Sequence, residues 1–172
     1  MFTKIDLCTM ALLKLGEKPI QSLTDDGAAA QLARTLFDAT IDTLLSVHPW
    51  RFATRVIDLV KNEEGNFLVP ADVLRVLRCP GELRGNRIYA ASDTVSIDAL
   101  VRVTPESFPG YFTSLAAAKL AVEFCMPLTG DGAMLRTMVA IYESELQAAK
   151  YMDSASSPSR GVAHFSLIDA RF

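Results

Sequence analysis

The sequence is poor in the side chains that most often carry chemistry. It has three cysteines, two histidines and one tryptophan in 172 residues. Cys8, Cys79 and Cys125 lie far apart, and neither a zinc ligand set nor a disulfide framework has that spacing. They read as buried free thiols in a reducing compartment. No basic run is present and the formal net charge is −3. That excludes the clustered Lys and Arg of a phosphate-binding footprint, so sequence-specific reading of nucleic acid is not expected. Neither a Walker loop nor a G-x-G-x-x-G after a strand occurs, and "PLTGDG" (127–132) offers two glycines without a lysine. A plain interhelix turn is the better reading of it. The N-terminus lacks a charged-then-apolar leader, and no uninterrupted apolar run looks long enough to span a bilayer. The expectation is a protein made and assembled in a cytoplasm, with no membrane partner. No internal repeat is found.

What is present is apolar: half of the residues are hydrophobic and 22% charged, enough for a core in one domain of ordinary size. Helical spacing opens the chain. Thr3 can cap a helix with Asp6 as its capping-box partner, and Ile5, Cys8, Leu12 and Leu15 share a face. Gly16 ends it and Pro19 prevents its return. In "TDDG", Asp25 or Asp26 can cap a long second helix whose face is Leu32, Leu36, Thr40, Leu44 and Val47, with Ala29 below. Pro49 must stop that helix at His48.

The periodicity then changes. "FATRVIDLV" (52–60) reads as a strand, "NEEGN" (62–66) as a turn, and "FLVPADVLRVLRC" (67–79) as a strand or extended segment interrupted at Pro70. "PGELRGN" (80–86) reads as a second turn region. "RIYAA" (87–91) and "TVSIDALVRV" (94–103) are expected to form a hairpin around Ser92 and Asp93. In the latter, Val95, Ile97 and Ala99 alternate with polar residues. Thr104-Pro105-Glu106 signals a helix start, and the third helix is expected from Gly110 to about Met126. Its "SLAAAKLA" centre would let a neighbour approach closely. Asp131 can cap a fourth helix to about Met152, with Leu135, Met138, Val139, Tyr142, Leu146 and Ala149 inward and Glu143, Gln147, Glu145 and Lys150 in solvent. A Ser-rich linker from Ser154 to Ser159 then leads to Phe165, Leu167, Ile168 and Phe172, a segment too short to bury itself.

His48 could act as a general base, but no Ser or Cys nucleophile motif accompanies it, and His164 lies in the tail; a C-terminal cap is the simpler reading. Asp25 and Asp26 read as capping residues before a metal or acid–base pair. Arg51 and Arg55 flank Phe52, too few for a nucleic-acid patch. Trp50 reads as an anchor. Burying a tryptophan removes about 150–250 Å² from water, on the order of 4–6 kcal/mol as an upper estimate. His48, Pro49, Trp50 and Phe52 are therefore expected to form a structural corner that holds a strand layer to the helices. From the residues alone, a cytoplasmic scaffold or regulatory module with a docking tail is the alternative function, and a small hydrolase using His48 and a carboxylate is a third.

The order of motifs adds a resemblance. "ALLKLGEKPIQSL" followed by "TDDGAAAQLARTLFDATIDTLLSVHPWRFATR" resembles the opening of phage head–tail adaptors of the tail tubular protein A type, found in short-tailed phages and prophages. There, a helix ending in L-G-x-x-P-I-x-S-L precedes a long helix that ends in an aromatic "PW" or "GW" corner. "VPADVLRVLRC", "FPGYFTSLAAAKLAVEFCMPLTG" and the terminal "SLIDARF" resemble later segments of the same proteins, so the likeness spans nearly the whole chain. It implies an α+β, mainly α fold: a four-helix bundle with an inserted small antiparallel β-rich lobe and an extended C-terminal tail. The helices are expected at about 3–15, 27–48, 110–127 and 131–152 and the lobe at about 52–103. Residues 1–155 would form one adaptor domain and 156–172 a flexible docking tail. The implied partners are a portal protein and a downstream tail or neck protein. The implied assembly is a ring, a dodecamer, at the head–tail junction of the virion, with DNA passing through and the isolated subunit a monomer. No cofactor, metal or catalysis is implied. The docking residues are expected to be Arg160, Phe165, Leu167, Ile168, Arg171 and Phe172.

Overall fold

A computed structural model describes residues 2–156 of the chain. The first helix, α1 (Lys4–Lys14), begins on the expected capping box: Thr3 Oγ1 accepts the Asp6 N–H at 3.2 Å, and Asp6 Oδ2 accepts the Thr3 N–H at 2.8 Å. Two donors that a helix start leaves unpaired are thereby satisfied. Gly16 then takes a left-handed φ of +74°, which L side chains resist, and the chain leaves the helix.

The second helix, α2 (Ala28–Val47), starts otherwise than expected. Neither Asp25 nor Asp26 caps it; the cap position falls to Gly27, with no side-chain bond. Asp25 instead accepts the N–H groups of Gln21 and Ser22 at 3.1 and 3.0 Å, because the loop before the helix competes for the same oxygen. The buried face is also rotated from the one expected. Ala30, Ala33, Phe37, Thr40, Ile41, Leu44 and Leu45 are buried, while Leu32 and Leu36 lie at the margin and Val47 is exposed. Small residues at 30 and 33 let a neighbouring helix approach, and they take the centre in place of the leucines.

That neighbour is α3 (Gly110–Thr129), against which α1, α2 and the last helix, α4 (Gly132–Ala155), all pack, while α1 and α2 touch only slightly. By length and composition α3 could cross a bilayer, contrary to the sequence expectation, yet most of its apolar window is buried among the other helices. A helix apolar all round belongs in a core, and this one supplies the centre. Pro127 does not stop it: the proline sits in the last turn, and the stop comes at Gly130 with φ +64°. Asp131 caps α4 as expected, Oδ1 accepting the N–H groups of Ala133 and Met134 at 2.7 and 3.2 Å. The helix runs past Met152 to Ala155, so Ser154, read as linker, is helical.

Between α2 and α3 lie six strands: β1 (Thr54–Val60), β2 (Phe67–Leu68), β3 (Val73–Arg78), β4 (Glu82–Arg84), β5 (Arg87–Tyr89) and β6 (Thr94–Val101). They form two antiparallel three-stranded sheets, ordered β1-β6-β3 and β2-β5-β4. The fold is therefore α+β and mainly α. The expected hairpin around Ser92 and Asp93 does not form, since β5 and β6 belong to different sheets. β5 pairs instead with β4, in the stretch read as a turn, because Gly85 at φ +59° with Asn86 makes the tight connection. On β6 the alternation holds: Val95, Ile97 and Ala99 are buried and join Leu59, Phe67 and Ile88 in a second small core. The sheets are tied to the helices by Leu100, which enters the helical core, and by Arg102, whose Nε donates to Asp42 Oδ1 at 2.8 Å. Arg75 adds a bond from Nη1 to the Ser46 carbonyl at 3.1 Å.

Candidate functional site: the corner between helices and sheets

Pro49 acts on its neighbours as its ring requires. His48 is the C-cap of α2 with extended backbone, φ −141° and ψ 147°, and a 3₁₀ turn at Arg51–Ala53 leads into β1. Trp50 is fully buried, and its Nε1–H donates to the Leu44 carbonyl at 3.0 Å. The indole thereby satisfies one of the carbonyls that a helix end leaves open, while its rings fill the core. Its ring meets His48 edge-on at 4.8 Å between centroids and Phe112 at 5.1 Å. Phe52 stands edge-on to Phe112 at 4.8 Å and to Phe108 at 6.0 Å, and Phe108 to Phe112 at 4.7 Å. Trp50 and Phe52 before β1, Phe108 in the connector before α3 and Phe112 on α3 thus share a single aromatic cluster.

At the heart of this corner lies a carboxylate that sequence reasoning missed. Asp153, near the end of α4, is only 2% exposed. It accepts the Tyr111 hydroxyl at 2.7 Å and the Arg51 backbone N–H at 3.2 Å, and His48 Nε2 lies 3.5 Å from its other oxygen. A buried carboxylate is tolerated only with such partners. Burial, and next the bond to Asp153, push the Tyr111 hydroxyl above the ordinary phenol range, so it remains a donor. The signal was available: Leu146, Ala149 and Asp153 continue the inward spacing of α4. Ending that helix at Met152 hid it.

The structure thus brings His48 together with a carboxylate, the pair that a hydrolase reading requires. Tyr111 and Arg51 already occupy that carboxylate, and among the described residues no hydroxyl or thiol hydrogen-bonds His48. Burial pushes the Cys8 thiol up to about 12, far from the thiolate that a nucleophile needs. Cys125 is also buried and Cys79 half-buried. Among the described residues no group of three His, Cys, Asp or Glu is placed to hold a metal ion. Arg160, Phe165, Leu167, Ile168, Arg171 and Phe172 lie outside the described residues.

The fold and the corner define an α+β protein in which the scarce His, Trp and buried Asp join helices to sheets. The family model for tail tubular proteins matches residues 5–124, and the chain belongs to that family. It is a structural protein of phage tails and a component of the virion. No curated protein matches the chain. The match takes in α1, α2, the corner, both sheets and most of α3; α4, which carries Asp153, lies beyond it.

Proposed function

We propose that the chain is a head–tail adaptor. Its four helices act as one bundle, and copies close into a ring, a dodecamer, beneath the portal. The ring extends the DNA channel and offers a platform to the next tail component. Family membership over residues 5–124 carries this reading. The charge distribution supports it. Lys4, Lys61, Arg78, Arg84, Arg87, Arg102 and Lys119 each face an acidic partner. With a formal net charge of −3 and no clustered run of Lys and Arg, the chain suits a channel in which DNA slides, because gripping phosphates needs clustered cations.

Within that assembly, residues 1–155 act as one domain, and the corner of His48, Pro49, Trp50 and Phe52 keeps bundle and lobe in fixed relation. Residues 156–172 are the docking tail, with Arg160, Phe165, Leu167, Ile168, Arg171 and Phe172 making contact with the portal. Ring closure needs head-to-tail contacts, and an apolar tether is a simple means of reaching an adjoining molecule. The adaptor works without catalysis or a cofactor. Deleting Gly161–Phe172 should leave the body folded by circular dichroism and abolish co-sedimentation with the portal, whereas His48→Ala should leave catalysis-free docking intact. Undiminished co-sedimentation of the deletion would refute the docking tail.

A further inference from the structure

The sheet ordered β1-β6-β3 ends at β3, and among the described residues no strand pairs with its outer side. Along that side runs a groove of about 550 Å³. Val73, Leu74, Arg75 and Val76 line it in unbroken succession. Side chains of a strand alternate between its faces, so consecutive lining residues mean that the groove follows the edge of β3. The opposite walls include Leu68 and Leu83, both exposed to solvent. An open edge facing apolar walls is a template for an added strand. The register of β3 against β6 slips between Val73 and Arg75 and again between Val76 and Arg78, so the straight edge is short and fits a short segment.

We propose that the segment Phe165–Ile168 of the same chain lies in this groove as a fourth strand beside β3 when the subunit is alone. The choice of occupant rests on the docking-tail reading above. Phe165 and Leu167 fall on one face of a strand, with Asp169 at the next alternate position, and Arg75 is the one ionisable residue lining the groove. The exit point of the tail is also near. The described chain ends at Ser156, just past Asp153, which touches His48 and Arg51, while Arg75 reaches the Ser46 carbonyl. Tail exit and groove therefore both lie by the C-terminal end of α2. Residues 157–164 extended span about 26–29 Å. A tether that short holds the segment at an effective concentration on the order of millimolar, which favours its own groove over that of a second copy. Docking elsewhere then requires this pairing to be exchanged.

Amide hydrogen exchange on the isolated full-length chain tests this, comparing the parent with a Phe165→Asp, Leu167→Asp variant whose changes lie outside the described body. The outward-facing amides of β3 should exchange about tenfold slower in the parent, the effect of one added hydrogen bond. The rates in α3 and α4 should be equal in the two proteins, and the difference should persist on dilution. Equal exchange in β3 would overturn the proposal, and a difference that vanishes on dilution would overturn it by assigning the groove to a second copy. Neither result depends on portal binding, so this inference and the adaptor reading fail separately.

Discussion

Replacing Asp153 with alanine tests how much of the corner hangs on one carboxylate. The substitution removes the acceptor of the Tyr111 hydroxyl at 2.7 Å and of the Arg51 N–H at 3.2 Å. A buried donor left without its partner costs about 1–3 kcal/mol, and both donors are only partly buried, so the expected loss is about 2–4 kcal/mol. Each kcal/mol lowers the melting midpoint of a chain this long by about 2–4 °C, which gives a fall of roughly 10 °C. Asp153→Asn keeps one acceptor oxygen and should cost about 1 kcal/mol, a smaller step in the same direction. Trp50 is the single tryptophan and sits against His48, so its fluorescence during urea unfolding reports on this corner directly. A Tyr111→Phe change should couple to Asp153→Ala rather than add to it, since the two remove one bond. An Asp153→Ala variant within about 0.5 kcal/mol of the parent, the range of ordinary surface changes, would refute the tie.

Two further outcomes follow from the buried groups. Both Tyr111 and Cys8 hold their protons more firmly in the folded state, Cys8 moving from 9.0 to about 12. The unfolded chain therefore loses these protons first. Stability should be intact below about pH 9 and fall as the pH rises from there, measured by urea midpoints, with Tyr111→Phe weakening the fall above about pH 10. A midpoint that rises with alkali would contradict the assignment. In the native protein an aromatic disulfide reagent should titrate Cys79 quickly and leave Cys8 and Cys125 untouched until urea is added, because only Cys79 is not fully buried. Fast reaction of all three thiols in the native state would show that the helical core is open.

The helices were largely legible because their signals are local. The Thr3–Asp6 capping box, Gly16, the Asp131 cap and Pro49 each act within a turn or two, and each sits where its chemistry places it. Strand pairing was legible only in part. The alternation on β6 marks its buried face, but nothing in Thr94–Val101 names its partners, and those turned out to be β1 and β3 rather than β5. The Gly85-Asn86 turn held the missing information about β4 and β5. Asp25 illustrates the limit of capping rules: two acceptable uses compete for one carboxylate, and the loop takes it. At the corner, Pro49 and Trp50 stood out by rarity. Asp153 did not, because its importance arises from contact with Arg51 and Tyr111, which are distant in sequence.

The proposed adaptor function requires copies of the chain to close a ring on the portal. Electron microscopy of the purified protein mixed with its portal tests it most directly. An added ring of density, dodecameric and coaxial with the DNA channel, is the predicted result. Portal particles that remain bare at saturating protein would contradict it.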